Sequence, residues 1–243
     1  MNLSGQTAVV TGGAVRVGRA LSVALAGAGA DVFVHYNRSR GPAEETAEVL
    51  RSLGVRAAVG SANLSDPSSA VDLMTAAGDA LGPVSVLVNS ASGFPEDTIE
   101  DATLEGWART IDLTLAAPVF LTQAFARALP RDRSGAVVNV TDVKTMTPYR
   151  ERFSYTIAKG GIDTFTRAAA LALAPRIRVN AVALGVILPP PGEGEEYLEA
   201  LAASLPLERA GGTGPVTETV LFLLRNEFVT GEIVRVDGGA HLV

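Results

Sequence analysis

Short apolar runs alternate with helical stretches along almost the whole chain, and this alternation restricts the possible fold more than any other feature. Thr7 to Val10, Asp31 to Tyr36, Ala57 to Val59 and Val84 to Asn89 read as strands. The stretches between and after them place apolar residues at helical spacing: through Ala28, from about Ala43 to Ser52, through about Ala80, and from Leu104 to Leu129 as one long helix. The pattern continues with strands Ala136 to Val140, Arg178 to Ala183 and Ile233 to Val236. Its helices there are Tyr155 to Ala174, stopped by Pro175, and Val216 to Leu224. Strand and helix in turn predict an α/β fold with a parallel sheet, because a parallel crossover needs a connection long enough to hold a helix. Apolar residues make up 47% of the chain and charged ones 19%, enough for a large core, and 243 residues fit a single α/β domain spanning 1–243.

Two segments read as loops, Lys144 to Arg152 and Leu188 to Glu196. The second contains PPPGEGEE and leads into a candidate helix, Tyr197 to Ser204. Residues at about 188–205 have the position of a substrate lid; the alternative is a solvated surface insertion.

Several function classes are disfavoured. The net charge is −6 with no basic block, so no nucleic-acid partner is expected. There is no cysteine, and His35 and His241 are far apart, so neither a disulfide framework nor a metal site is expected. The first residues, MNLSGQTAVVTGG, lack the basic and apolar regions of a signal peptide. No apolar run is long enough for a membrane span, so a cytoplasmic protein is expected.

The turn after the first strand reads Thr11-Gly12-Gly13-Ala14-Val15-Arg16-Val17-Gly18. Glycines there let the backbone approach a pyrophosphate, and the following helix offers free N–H groups and a partial positive charge. Gly12, Val17 and Gly18 are therefore candidate cofactor contacts, and Arg16 adds a cation. A site for NAD usually carries a carboxylate at the end of the second strand. Here that strand ends His35-Tyr36-Asn37-Arg38-Ser39-Arg40, with no carboxylate and two arginines able to fork onto a 2′-phosphate. NADP(H) is therefore the expected cofactor. Asn63 and Leu64, after the third strand, are placed to touch an adenine, or serve as plain loop residues.

Tyr155 and Lys159 stand four residues apart on one face of a predicted helix. An ammonium beside a phenol is expected to lower its pKa and ready its proton for transfer. Lysine occurs only at 144 and 159, so its use here is selective.

At this point the chain resembles the short-chain dehydrogenase/reductase family over essentially its whole length. The resemblance rests on TGGAVRVG, NSAS at Asn89 to Ser92, YTIAK at Tyr155 to Lys159, IRVNAVALG from Ile177 to Gly185, and VDGG near the end. It implies a single Rossmann-type, doubly wound parallel sheet of about seven strands with helices on both faces. It also implies a homotetramer or dimer that moves hydride between NAD(P)(H) and a small-molecule carbonyl, alcohol or imine. By the same resemblance Lys159 also binds the nicotinamide ribose. Asn89, Ser90, Ala91 and Thr141 border the cofactor, and Gly185, Val186 and Ile187 lie near the carboxamide.

The chain departs from the common family pattern at one telling place. Thirteen residues before the tyrosine most members carry serine; here stands Asp142. An ionised carboxylate cannot donate to a substrate carbonyl, whereas it can accept from a substrate N–H or relay a proton. Thr141 is a candidate substitute for that serine, but it is expected on the alternate face of the strand. The departure resembles the pteridine reductase subgroup, which shares this Asp with the same Tyr and Lys. HYNRS at His35 to Ser39 is similar to that subgroup's 2′-phosphate segment. Phe94 matches the aromatic that sandwiches a pterin; Ser92 and Arg16 match substrate or phosphate contacts. The resemblance implies NADPH-dependent reduction of a C=N bond in a dihydropterin or dihydrofolate, with Tyr155, Lys159 and Asp142 as the catalytic residues. A generic carbonyl reductase acting on 3-oxoacyl or ketone substrates is the alternative, and a non-catalytic NADP(H) sensor a third. Thr114 in place of the family's helix asparagine keeps the last reading open, while Asn63, Ser90 and Leu184 at other variant positions point to a diverged substrate or reduced activity.

Overall fold

The computed structural model describes residues 1–190 and 192–243; Pro191, inside the candidate lid, lies outside the described residues. Among the described residues seven strands form one sheet: β1 (Thr7–Val10), β2 (Asp31–Tyr36), β3 (Ala57–Ser61), β4 (Val84–Asn89), β5 (Gly135–Asp142), β6 (Ile177–Leu184) and β7 (Ile233–Val236). Their order is β3-β2-β1-β4-β5-β6-β7, with every neighbouring pair parallel. The helices are α1 (Arg16–Gly27), α2 (Arg40–Ser52), α3 (Ser69–Leu81), α4 (Leu104–Ile111), α5 (Ala117–Ala128), α6 (Phe153–Leu173), α7 (Glu195–Ala202) and α8 (Thr213–Arg225). This is the expected doubly wound α/β sheet. None of its described helices is long and apolar enough to cross a membrane.

The two-residue repeat of a strand divides the core in two. Ala8, Val10, Val34, Val88 and Val138 point to one face, where α1, α2 and α8 contribute Leu21, Leu50 and Leu223. Val9, Phe33, Leu87, Val137 and Val179 point to the other, against Leu73 of α3, Leu121 and Phe125 of α5 and Ala169 of α6. With helices on both faces every central strand is buried, so these strands read as continuous apolar runs.

Strand order reverses between β1 and β4. The chain winds outward from β1 in one direction and from β4 in the other, leaving a crevice beyond their carboxyl ends. The glycine turn, the NSAS segment, the Thr141-Asp142 end of β5 and Gly185 all fall on that edge.

Several boundaries differ from the sequence expectation, three of them for identifiable physical reasons. The long helix from Leu104 is interrupted by a π turn over Asp112–Ala116. Pro118 explains the break: it has no N–H for the carbonyl of Thr114, and its ring crowds that carbonyl, so the helix widens there. The π turn packs on α6 at Gly161, where a Cβ would come within 2.7 Å of Leu115 Cδ2. Next, β5 runs on to Asp142, paired with Leu184 of β6, rather than ending at Val140. Finally, α6 starts two residues before Tyr155, because the Asp97 carboxylate accepts the N–H and hydroxyl of Ser154 in its first turn. The candidate helix at 197–204 lies two residues earlier, as α7.

Gly18 is the tightest point of the fold: a Cβ there would sit 2.0 Å from the Gly12 carbonyl oxygen. Gly18→Ala is expected to lower stability by about 2 kcal/mol or more. Urea unfolding of the variant checks this, and an unchanged midpoint would contradict the contact.

Candidate active site

The glycine turn is held rigid from two sides. Thr11 Oγ1 accepts the backbone N–H groups of Ser90 (2.9 Å) and Ala91 (3.0 Å), tying β1 to the end of β4. Gly12 has φ +63°, and a Cβ on it would lie 3.1 Å from Ala91 Cα. His35 is buried and takes no exposed role. Its Nδ1 accepts from the Gly12 N–H (3.1 Å), and its Nε2 lies 3.0 Å from the Ala62 carbonyl. Burial lowers its pKa, so the ring is neutral with the proton on Nε2. His35 thus braces the turn instead of facing the loop at Arg38. α1 begins with no side-chain cap and no acidic residue in its first turn, leaving N–H groups and dipole free for an anion.

Arg16 has φ +54°, in the left-handed region that non-glycine residues enter at a cost. Its guanidinium donates to the Pro189 carbonyl (2.6 Å), joining the glycine turn to the candidate lid. Asn37 and Arg38 are exposed beyond β2, with Tyr36 and Ser39 half-buried beside them. Among the described residues Arg38 has no ion-pair partner, and Arg40 reaches Glu44 only at 4.0 Å. Asn63 accepts from the Ser65 N–H in a local turn, while Leu64 is buried in the core.

The chemical centre lies where α6 packs on the end of β5. The Tyr155 hydroxyl donates to Asp142 Oδ2 at 2.8 Å, and Asp142 Oδ1 accepts the Lys144 N–H at 2.8 Å. Lys159 Nζ donates to the Val140 carbonyl (2.8 Å) and lies 5.6 Å from the Tyr155 ring centre. All three side chains are buried, with relative exposures of 8% for Asp142, 7% for Tyr155 and 4% for Lys159. Burial raises the Asp142 pKa above the usual carboxylate range, against the hydrogen bonds from Lys144 and Tyr155. Burial lowers Lys159 to about 8, against the charges of Asp142 and Asp163. The expected lowering of the Tyr155 pKa by Lys159 is not what the site shows. Burial and the neighbouring Asp142 raise that phenol well above its ordinary value, so it is held firmly protonated. Thr141 does not stand beside Tyr155; its hydroxyl donates to Asp163 Oδ1 at 2.7 Å.

Phe94, 39% exposed, meets the Tyr155 ring edge-on, with centres 4.8 Å apart. Three residues overlooked in the sequence complete this wall. Tyr149 lies 5.6 Å from Phe94 and 6.5 Å from Tyr155, ring centre to centre. Arg152 places its guanidinium 4.3 Å from the Phe94 ring centre and pairs with Glu96 at 2.7 Å. Lys144 stands 5.8 Å over the Tyr149 ring. A loop of mixed composition offers no periodicity, so only its return toward Phe94 reveals them. Ser92 is exposed at the rim. Asn89 donates to Asn139 Oδ1 (2.8 Å), which in turn donates to Thr166 on α6 (2.9 Å). Among the described residues Asn89 Oδ1 and Thr114 Oγ1 are buried without a hydrogen-bond partner. Gly185 packs against Asp237, where a Cβ would meet Asp237 Cα at 2.6 Å; Val186 is half-buried and Ile187 buried behind it. Among the described residues no cluster of His, Cys, Asp and Glu could hold a metal ion.

Residues 13–241 match a family profile described as enoyl-(acyl carrier protein) reductase. Two crystal structures, of FolM alternative dihydrofolate reductase 1 from Brucella canis and from Brucella suis, each with NADP, are 37% identical to the chain. Each alignment covers 100% of this chain and 97% of the other, with TM-scores of 0.93 and 0.95. The 3-oxoacyl-[acyl-carrier-protein] reductase of Synechocystis sp. is 34% identical, over 98% of this chain and 97% of its own length.

The Tyr155–Asp142 contact is open to direct measurement. Asp142→Asn removes a charge that opposes ionisation of the phenol, so Tyr155 is expected to ionise at lower pH than in the wild type. Ultraviolet titration of tyrosinate, with Tyr155→Phe as the blank, reads this; a higher or unchanged midpoint would contradict the arrangement.

Proposed function

The chain belongs to the short-chain dehydrogenase/reductase family, and from that premise we propose that it is an NADPH-dependent reductase of a dihydropterin or dihydrofolate C=N bond. At the coarser level it is an NAD(P)-dependent oxidoreductase of that family. The observation that carries the finer reading is the hydrogen bond from Tyr155 to Asp142, at the place where the family commonly has serine. A carboxylate suits a heterocycle with N–H edges, and Phe94, against the Tyr155 ring, offers a flat partner. Likeness to the Brucella FolM alternative dihydrofolate reductases points the same way.

The residues fit NADP(H) as cofactor. The uncapped start of α1 and the close-packed Gly12 and Gly18 suit a pyrophosphate, and the exposed Arg38 suits a 2′-phosphate. When bound, NADPH supplies the hydride. Tyr155 holds the proton for the substrate nitrogen, kept in place by its burial and by Asp142. Lys159, anchored on the Val140 carbonyl and 5.6 Å from the Tyr155 ring centre, steadies the negative charge left after the proton is given. Asp142, its own acidity weakened by burial, aims the phenol and serves as a second proton carrier. Residues 188–205 act as a lid within a single domain, with Arg16 holding Pro189 and exposed Tyr197 on α7. We read the enzyme as a homotetramer that would cover the exposed Leu104, Phe120 and Leu171.

A second reading, a carbonyl reductase, is favoured by the 34% identity to a 3-oxoacyl reductase. NADPH oxidation with 7,8-dihydrobiopterin, dihydrofolate and simple ketones separates the two. Turnover of the pteridines is expected; turnover of ketones alone would sink the pterin reading, and tight NADPH binding with no turnover would mark a nucleotide sensor. Tyr155→Phe should lower kcat at least about 100-fold with NADPH affinity retained. For Arg38→Ala, KM for NADPH should rise about tenfold or more while KM for NADH changes little; equal effects would contradict the 2′-phosphate assignment.

A further inference from the structure

Asp163 lies in none of the roles assigned above, yet it touches the segment on which the site depends. It follows Lys159 by four residues, as Lys159 follows Tyr155, so phenol, ammonium and carboxylate form one stripe along α6. Opposite that stripe run the end of β5 and the short 3-10 turn Val143–Thr145. Each member of the stripe has a partner there: Tyr155 on Asp142, Lys159 on the Val140 carbonyl, and Asp163 on two hydroxyls. Asp163 Oδ1 accepts from Thr141 at 2.7 Å and Oδ2 from Thr145 at 2.8 Å. Thr141 immediately precedes Asp142 on β5, and Thr145 closes the turn that follows it. One carboxylate therefore fastens both ends of the piece of backbone that presents Asp142.

We infer that Asp163 is a positioning residue of this site: it staples residues 141–145 to α6 and supplies a negative charge that helps keep Lys159 an ammonium. The inference rests on Tyr155 and Lys159 being the proton-transfer pair, and it is independent of whether the substrate is a pterin. The groups facing Lys159 are few. Asp142 comes from β5, Asp163 and the Tyr155 ring from α6, and Lys144 of the 3-10 turn acts on Asp142. Asp142 and Asp163 both oppose the burial that brings Lys159 down to about 8. Asp142 is partly committed to the phenol and the Lys144 N–H, and its own pKa is raised. Asp163 has no such claim on it, since both of its partners are neutral hydroxyls that leave its charge uncancelled.

The chain has only two lysines, so full-length protein carrying 13C at lysine Cε gives two resonances. Lys159→Arg assigns them, and no substrate is needed. In Asp163→Asn the Lys159 midpoint is expected to fall by about half a pH unit or more. In Asp163→Glu, which keeps the charge, it should stay close to the wild type. An Asn variant with an unmoved or raised midpoint, or a Glu variant that falls as far as Asn, overturns the electrostatic role. Thr145→Val tests the staple without touching a charge, and does so even where Asp163→Asn fails to fold. It should leave the lysine titration in place and lower kcat about threefold or more, with KM for NADPH unchanged. That rate is read on whichever of the pteridine or ketone substrates the wild type reduces. An unchanged kcat refutes the staple, whereas a wild type inactive on every pteridine refutes the pterin reading and leaves the lysine titration standing.

Discussion

The packing of α6 against the end of β5 is the contact through which the other parts of the site acquire a common geometry. A central strand has its polar backbone satisfied by its neighbours, but β5 runs on to Asp142 while β4 pairs with it only as far as Asn139. Here the Val140 carbonyl accepts Lys159, and the side chains of the next two residues reach Tyr155 and Asp163. The helix offers its polar residues at four-residue intervals, and the strand offers consecutive positions. The two periods meet over a single helix face. The same helix is capped at its start by Asp97, from a segment that also carries Phe94, so the aromatic wall and the phenol are positioned together.

Burial dominates the electrostatics of this contact, and it acts in opposite senses on acids and bases. It raises Asp142 and Tyr155 and lowers Lys159. The result is a phenol that keeps its proton, next to a carboxylate whose affinity for protons is increased. An exposed tyrosine–lysine pair would carry no such bias, because solvent would screen the charges. Among the described residues Asn89 Oδ1 and Thr114 Oγ1 are buried without a partner. Thr114 sits in the π turn that Pro118 imposes, so a proline in one helix reshapes the surface against which α6 packs.

Much of the fold was legible because it depends on local periodicity. Strands such as Val84–Asn89 and Ile233–Val236 stand where the apolar runs end in turn residues, and the parallel sheet follows from the helices between them. Boundaries failed where a residue distant in sequence intervened. The first turn of α6 is set by Asp97, and the extension of β5 to Asp142 by pairing with Leu184. The π turn was the exception: its cause, Pro118, was visible in the sequence but was outweighed by the helical spacing around it.

The same division runs through the site. The glycine turn, the Tyr155–Lys159 spacing, the missing carboxylate after β2 and the aspartate at 142 are properties of short segments, and the sequence alone determined them. It could not determine that His35 turns inward to hold Gly12, that Lys159 leaves the Tyr155 pKa to burial and Asp142, or that Tyr149 and Arg152 close around Phe94. Those outcomes depend on which strand ends lie side by side and how deeply each group is buried. Both are decided only when sheet register and helix packing bring distant residues within a few ångströms of one another.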